Sequence, residues 1–464
     1  MRLNYNSVKI SIIFFLIFIL LRIISLVVNC DVLIFALFTI YMFIFLRSKS
    51  YSLGVKYLWY IEAVSVHVFS VFYVENFKVF FGNLQLSSYH TGALWTLTIS
   101  YFIFLETIRV LEENSKNEIK ELKKSLKPIQ NDELFLLKIC ILIGFVFIGF
   151  LLITLKDHFY FTTLIRSRYD YKLHFFSKIT YKYTYAFYLL PLTIIAIKEK
   201  KCNILSKLFI VLVFFFLLWI GTQFGDYFVS LYMLLLGTYA LTDLSLLNKN
   251  NLKRLLVLGV SIIMFMILYV VIYRMVTYNY SLLETFQYIL GRITGGQSDI
   301  WWAIYGRYKN TEWKLSELRD EINVFINLAS ANADKNYGIY KMMNIVAPEN
   351  VLFDYFSRNV VFTASTQASL FYYFQYTGLF MGEFILALIL YFIINGLCRA
   401  MRKHWIMETI IFSRFLIVFP QTFGMSSLRD LISFKNFFSL IVLLFLYLYR
   451  KRQTIRILQP QSEV

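Results

Sequence analysis

Long apolar runs recur along this chain and leave few folds open to it. The 464 residues are 59% hydrophobic, whereas soluble domains hold about 45–50% apolar residues. A run of about 18 residues can cross the hydrocarbon core of a membrane as a helix. Only helices and closed barrels satisfy the backbone there, and the ten-residue alternation of barrel strands is absent from this sequence. We therefore expect an all-α polytopic membrane protein.

Twelve apolar segments are candidate membrane spans. They lie at about 9–28, 31–47, 57–74, 86–105, 134–155, 181–197, 207–221, 225–242, 254–273, 366–397, 405–424 and 435–449. The tenth segment is longer than one crossing needs, so its N-terminal part is expected to lie at the interface or to tilt. Residues 1–464 are treated as one integral membrane domain.

The distribution of lysine and arginine predicts the orientation of these spans. A net charge of +18 is typical of nucleic-acid-binding proteins, but here most cations stand at the ends of spans, where they act as topology signals. They are sparse in the short connections on one side, so both termini are expected in the cytoplasm and no nucleic acid is expected as a partner. The charged cytoplasmic segment 106–133 alternates Glu and Lys and predicts a solvated helix without a catalytic role.

Two longer loops lie on the outer side in this topology, at 156–180 and 274–365. The first places Arg166 and Arg168 among aromatic residues at the level of the lipid headgroups. Guanidinium groups bind phosphate oxygens in a bidentate manner, so a lipid-linked diphosphate is a natural ligand. An interfacial anchor that binds ordinary headgroups explains the same pattern equally well.

The second loop carries most of the candidate chemistry. A channel or a scaffold needs no polar loop of this length, whereas an enzyme that acts on the outer membrane face does. Its glycines at 291, 295 and 296 flank Arg292 and permit close approach of backbone N–H groups to an anion.

Asp299 and Trp301 form the second candidate group in this loop. A carboxylate can take the proton of a sugar hydroxyl, and an indole face can stack on a sugar ring. The alternative is a loop helix that starts with Asp299 and packs through its tryptophans. Four further carboxylates compete for the role of base: Glu284, Asp320, Glu321 and Asp354.

Metal and redox chemistry find no support in the sequence. The four cysteines are scattered without metal-ligand spacing. The five histidines form no HExxH motif. We expect no metal, no cofactor and no disulfide.

In architecture and in short motifs the chain resembles the bacterial O-antigen polymerases, the Wzy-type group. The matching residues are Phe161, Arg166 and Tyr169 in the first outer loop, Arg292 with Trp301 in the second, Thr363 to Ser365 through Tyr372, Gly378 and Gly382, and Arg429-Asp430 with Ser433-Phe434. Members of that group have about a dozen spans, cytoplasmic termini and two arginine-bearing periplasmic loops.

The resemblance implies polymerisation of oligosaccharide repeat units that are linked to undecaprenyl diphosphate. The reaction would be a metal-independent glycosyl transfer at the periplasmic face of the inner membrane, with membrane lipid around the protein and a chain-length regulator as a further partner to consider. The implied catalytic residues are Asp299 and Arg292. The implied ligands of diphosphate and sugar are Arg166, Arg168, Arg274, Arg307, Arg358, Arg429 and Trp301.

Two other functions remain open at this point. An O-antigen ligase belongs to the same superfamily, although residues 274–365 lack the histidine often emphasised in ligases. A flippase for lipid-linked oligosaccharides also needs many spans and buried cations, but it needs no outer loop of some ninety residues. The location of glycan in cells that lack the protein distinguishes the three.

Overall fold

A computed structural model describes most of the predicted helical segments. The described residues are 5–25, 27–47, 51–123, 129–155, 189–198, 227–241, 279–294, 298–319, 337–357, 365–425 and 433–458, with the single positions 268, 271, 272, 275, 321 and 362. This part of the chain is mostly helical, which confirms the all-α prediction.

The described elements follow the apolar runs closely. In the first half they are α1 (Tyr5–Ser25), α2 (Asp31–Arg47), α3 (Tyr51–Lys56), α4 (Leu58–Asn76), the hairpin strands β1 (Phe80–Phe81) and β2 (Leu86–Ser87), α5 (Ala93–Lys123), α6 (Asn131–Leu155), α7 (Leu189–Lys198) and α8 (Tyr227–Leu241). In the second half they are α9 (Leu282–Thr294), α10 (Asp299–Tyr308), α11 (Gly338–Val346), α12 (Glu349–Ser357), α13 (Thr366–Arg402), α14 (Ile406–Met425) and α15 (Phe434–Leu458).

The centre of the bundle is formed by α5 and α13, which pack along each other. Helices α1, α2 and α4 lie against α5, while α8 and α14 lie against α13. The short helices α10 and α11 contact α13 where α4 ends and α5 begins, and we call this end of the bundle the loop end. Side chains on the facing sides of the central helices, such as Leu97, Ile108, Leu390 and Ile394, are buried.

Fewer helices than expected pass a test for membrane spans based on length and composition. Among the described residues, Ala93–Asn114 and Thr366–Arg402 are long and apolar enough, compared with twelve predicted spans. One or two such helices are weak support, because the core helix of a soluble protein passes the same test. The predicted span 207–221 and most of 254–273 fall outside the described residues.

The fourth predicted span begins later than the apolar pattern indicates. Residues 86–92 are not helical; β2 pairs with β1 in an antiparallel hairpin, and the chain then enters α5 through Gly92, whose φ of 83° suits glycine. Glu75 at the end of α4 accepts hydrogen bonds from the backbone N–H groups of Thr91 (2.7 Å) and Gly92 (2.9 Å). The helix therefore starts where a distant carboxylate satisfies its free N–H groups.

The charged segment after the fourth span is helical up to Lys123, but its first turns are buried rather than solvated. Glu112 contacts Lys56 Nζ at 2.7 Å, with 4% and 1% of the two side chains exposed. Arg109 pairs with Glu106 and Glu113 on the same helix. The alternating charges predicted a solvated helix. The prediction was wrong for the first turns, because Glu112 is buried by pairing with Lys56, which lies far away in the sequence.

The long tenth segment is not one straight helix. At Gln375 the backbone leaves the helical region (φ 54°, ψ −150°), and residues 366–374, the first limb, fold back along residues 376–402, the second limb. Leu370 lies against Gly382, whose Cβ, if present, would meet Leu370 Cδ1 at 2.6 Å. The extra length is thus used by a helical hairpin whose bend faces the loop end.

Candidate functional site

Helix α10 packs into the loop end of the bundle through its two tryptophans. Trp302 donates a hydrogen bond from Nε1 to the carbonyl of Tyr89 (3.0 Å) and contacts the ring of Phe81. Trp301 packs edge-on against Phe371 of the first limb. Gly306 permits the approach, because a Cβ there would meet Tyr89 Oη at 3.0 Å. The helix thereby fixes the residues that follow it, 309–313, beside the bend of α13.

A pocket of about 550 Å³ lies between these two segments. It is lined by Lys309, Thr311, Glu312, Trp313, Gln375, Tyr376 and Thr377. Gln375 Nε2 donates to Thr311 Oγ1 (3.3 Å), and the backbone N–H of Lys314 donates to the carbonyl of Tyr373 (3.0 Å). These two bonds hold the 309–314 segment against the bent helix.

The lining combines one aromatic face with several polar groups. Trp313 is 54% exposed, so part of its indole, which is apolar with one polar N–H, is accessible to an occupant. Glu312, Lys309 and Gln375 supply a carboxylate, an ammonium and an amide at the same pocket. Polar groups around one exposed aromatic residue can bind a small polar molecule.

A guanidinium group lies at the loop end, beside Trp95 and Gly92. Arg22, in the last turn of α1, stands over the ring of Trp95 at 5.1 Å, and its Nη1 is 3.7 Å from the position that a Cβ on Gly92 would take. Within the described residues its guanidinium forms neither a hydrogen bond nor an ion pair. Lys309 Nζ donates to the carbonyl of Thr91 at 2.9 Å. The two cations therefore flank the Thr91–Gly92 peptide.

A chain of hydroxyl groups runs from Thr96 on α5 to Tyr376 in the pocket wall. Thr96 Oγ1 donates to Tyr305 Oη (3.1 Å), which lies 3.1 Å from Tyr376 Oη. Arg22 is close enough to Tyr305 to interact with it electrostatically. Burial raises the pKa of Tyr305 above its ordinary value, so its hydroxyl stays neutral and serves as a hydrogen-bonding group.

A second polar cluster joins α11 to α13 beside the pocket. Tyr372 Oη donates to Glu317 Oε2 (2.6 Å), and Lys341 Nζ lies 3.1 Å from the same oxygen. Partial burial raises the pKa of Glu317, but these two hydrogen bonds outweigh it, and the pKa lies below its ordinary value. Glu317 is therefore ionised at neutral pH and holds the loop in place.

Three residues at the loop end have the spacing of metal ligands: Asp31, Glu75 and His90. His90 Nε2 is 3.1 Å from Asp31 Oδ2 and 3.6 Å from Glu75 Oε2. Each oxygen of Glu75 already accepts two hydrogen bonds from residues 91–93, and a carboxylate has about four lone-pair positions. Two ligands remain, which is too few for a protein-built zinc site. The group instead ties α2, α4 and α5 together.

The two residues predicted as catalytic lie on different helices, Asp299 on α10 and Arg292 on α9. Asp299 begins α10 and is 2% exposed; its Oδ1 accepts the backbone N–H of Ile300, and Asn83 donates to its Oδ2 (3.3 Å). Arg292 lies in the last turn of α9, and its side chain is outside the described residues. The structure therefore shows the alternative that the sequence left open for this motif, a helix that begins with Asp299 and packs through its tryptophans.

Of the predicted ligand residues, the structure describes Trp301 and Arg307, and both side chains contact other parts of the protein. Trp301 is 1% exposed, so its faces contact protein rather than an incoming sugar. Arg307 donates to the carbonyls of Ile345 and Val346 and caps the C-terminal end of α11. Five further predicted arginines lie outside the described residues: Arg166, Arg168, Arg274, Arg358 and Arg429.

Sequence reasoning missed the residues that line the pocket. Lys309, Thr311, Glu312 and Trp313 form a short polar run with one tryptophan just after the Asp299 motif, and that run was the available signal. Arg22 was visible as a charge inside the first apolar run, where an ionisable group is a functional candidate. Gln375 stands in a segment rich in aromatic residues, and nothing in the sequence indicated that it lines a pocket.

Comparison with known proteins identifies one matching segment. Residues 332–440 match a protein-family model described as a family of unknown function, DUF6418. No curated protein and no solved structure matches the chain. The matched segment contains the bent helix α13, and therefore one wall of the pocket, while residues 309–313 precede it.

Proposed function

We propose that this chain is a glycosyltransferase of the O-antigen polymerase type. It would join undecaprenyl-diphosphate-linked repeat units, without a metal, at the periplasmic face of a bacterial inner membrane. The observation that carries the proposal is the pocket at the loop end. An exposed indole, a carboxylate and an amide line it, and the two cations Lys309 and Arg22 stand beside the Thr91–Gly92 peptide.

Each group has a role in this reaction. The acceptor sugar rests on Trp313, with its hydroxyls bound by Thr311 and Gln375. Glu312 takes the proton of the attacking hydroxyl. The oxygen of that hydroxyl bonds to the anomeric carbon of the donor, and the bond from that carbon to the diphosphate breaks. Lys309 and Arg22 stabilise the negative charge that develops on the leaving lipid diphosphate.

The outer surface of the bundle supports a membrane location. Large apolar side chains are exposed along α1 and α15, including Ile12, Leu16, Leu20 and Ile23 on α1 and Phe437, Phe438, Ile441, Leu444, Phe445 and Leu448 on α15. Contiguous apolar surfaces of this extent mark contact with a membrane or with another protein. Lipid contact along these helices agrees with the twelve apolar segments of the sequence.

Helix α9 supports an arrangement for a lipid-linked substrate. Leu282, Leu283, Phe286 and Leu290 are exposed on this helix, which packs against α4. A short helix with an apolar stripe is typical of one that lies in the membrane interface. The isoprenoid chain of the substrate would lie along this stripe, with its diphosphate near Arg292.

The arginines of the two outer loops remain candidates within this proposal. Arg166, Arg168, Arg274, Arg358 and Arg429 can supplement Lys309 and Arg22 at the diphosphate. Arg307 is better assigned to holding α11, because its guanidinium is bound to backbone carbonyls. Asp299 and Trp301 are better assigned to holding α10 in place.

Deletion of the gene tests the proposal against its two alternatives. Surface polysaccharide from the deletion strain, run on a gel with and without the complementing gene, should show core that bears a single repeat and no ladder. Polymer that stays on the lipid carrier would indicate a ligase instead. Single repeats trapped on the cytoplasmic side would indicate a flippase.

A further inference from the structure

Two buried polar side chains join the limbs of the bent helix α13. Glu383 on the second limb and Gln367 on the first limb are both 0% exposed. Gln367 donates a hydrogen bond from Nε2 to Glu383 Oε1. Within the described part of the chain, the other oxygen of each group, Glu383 Oε2 and Gln367 Oε1, has no hydrogen-bond partner. A bonded pair of side chains thus carries two unsatisfied acceptors.

The surroundings offer no compensating cation among the described residues. No described lysine, arginine or histidine forms an ion pair with Glu383. Tyr101 on α5 is close enough to interact with Glu383 electrostatically, and its hydroxyl lies 2.6 Å from His67 Nδ1. An unpaired carboxylate would be strongly disfavoured in such a place.

We propose that Glu383 binds a proton in the folded protein and pairs with Gln367 as a neutral acid. One proton satisfies both unsatisfied atoms. The hydroxyl of the protonated acid, at Oε2, donates to Gln367 Oε1, while Gln367 Nε2 donates to Glu383 Oε1. The two planar groups then face each other with two hydrogen bonds, and no buried acceptor of the pair is left unsatisfied.

The bound proton stabilises the bend of α13 and, with it, the candidate site. Glu383 lies eight residues beyond Gln375, about 12 Å along the helix at 1.5 Å per residue. The pair therefore holds the first limb to the second below the bend that lines the pocket. This inference goes beyond the proposed function and does not rest on it, because it concerns the protonation state of the folded chain.

Infrared spectroscopy of purified protein in detergent at neutral pH tests the proposal directly. The wild-type protein should show the C=O stretch of a protonated carboxylic acid, and this band should be lost in Glu383→Gln. Glu112→Gln is the matched control, because Glu112 is also a buried carboxyl group but is paired with the ammonium of Lys56; the band should persist in it. A wild-type band that Glu383→Gln leaves unchanged would overturn the proposal.

Thermal unfolding supplies a second readout that does not depend on activity. An amide in place of a neutral acid can form the same two hydrogen bonds, so Glu383→Gln should keep the wild-type Tm. Glu383→Leu should lower it, because Gln367 then loses both bonds, and Glu112→Gln should lower it by leaving Lys56 unpaired. Loss of stability or failure to fold in Glu383→Gln would contradict a protonated Glu383.

Discussion

Trp313 keeps 54% of its side chain exposed, whereas Trp301 keeps 1%. Both stand in the same polar stretch of sequence, so their residue type alone does not distinguish them. Trp301 is buried by Phe371, which is distant in the sequence, and Trp313 lies where the 309–314 segment crosses the bend of α13. An indole left open in a polar pocket is the residue best placed to hold an apolar sugar face.

Replacing Trp313 by Ala should weaken acceptor binding about tenfold, which corresponds to about 1.4 kcal/mol. The fold should be unaffected, because more than half of the side chain contacts no protein. Phe353→Ala is the control, since Phe353 is 79% exposed on α12 and does not line the pocket. Polymer yield and Tm measure the two effects; equal polymer yields from both variants would remove Trp313 from the site.

Arg22→Ala should reduce the affinity for the lipid diphosphate about ten- to a hundredfold, because a hydrogen bond to a charged group contributes roughly 1.5–3 kcal/mol. Arg22→Lys should recover part of the loss by keeping the charge. Lys78→Ala removes an exposed cation from the same end of the bundle and serves as the control. Rates measured against the concentration of lipid-linked substrate separate these variants, and a wild-type KM in Arg22→Ala would contradict the assignment.

The bend of α13 shows how an element is set by tertiary contacts. The apolar pattern predicts one long helix, and only the excess length of the segment indicates that the helix is not straight. Gly378 and Gly382 allow the first limb to approach the second, in the manner of small residues spaced four apart. Their role was hidden because the contacting residues, Phe374 and Leu370, lie on the same helical segment in the sequence.

Gly378→Ala should open this hairpin. A Cβ at that position would lie 2.7 Å from Phe374 Cγ, and overpacking of a tight contact typically costs about 1–3 kcal/mol. The variant should lose Tm and activity together. Gly291→Ala is the matched control for Tm, because a Cβ there meets nothing within 4 Å, and alanine stabilises a helix by roughly 0.5–1 kcal/mol relative to glycine. Equal stability of the two variants would show that the limbs do not pack as described.

At the scale of the whole molecule, the apolar segments predicted where most described helices lie, because burial of apolar side chains acts on every residue of a long run. The loop end was less predictable. Its pocket joins residues 309–313 with 375–377. The start of α5 depends on Glu75, which lies 18 residues before the helix begins. Such long-range contacts leave no periodic signal in a single sequence.

Membrane orientation gives a prediction at the same scale. In a cysteine-free background, Ser87→Cys at the loop end should react with a membrane-impermeant maleimide added to intact spheroplasts. Lys403→Cys, beyond the other end of α13, should react only after permeabilisation. Both positions are exposed, so accessibility of the side chain does not limit the reaction. Labelling of Lys403→Cys alone in intact spheroplasts would reverse the proposed orientation.

Reconstituted polymerisation tests the central claim most directly. The purified chain in nanodiscs, supplied with lipid-linked repeat units extracted from its host and with a chelator to remove divalent metals, should convert them into chains of several repeats and release the lipid diphosphate. The Trp313→Ala protein should form far fewer chains. Repeat units returned unchanged by folded wild-type protein would contradict the account.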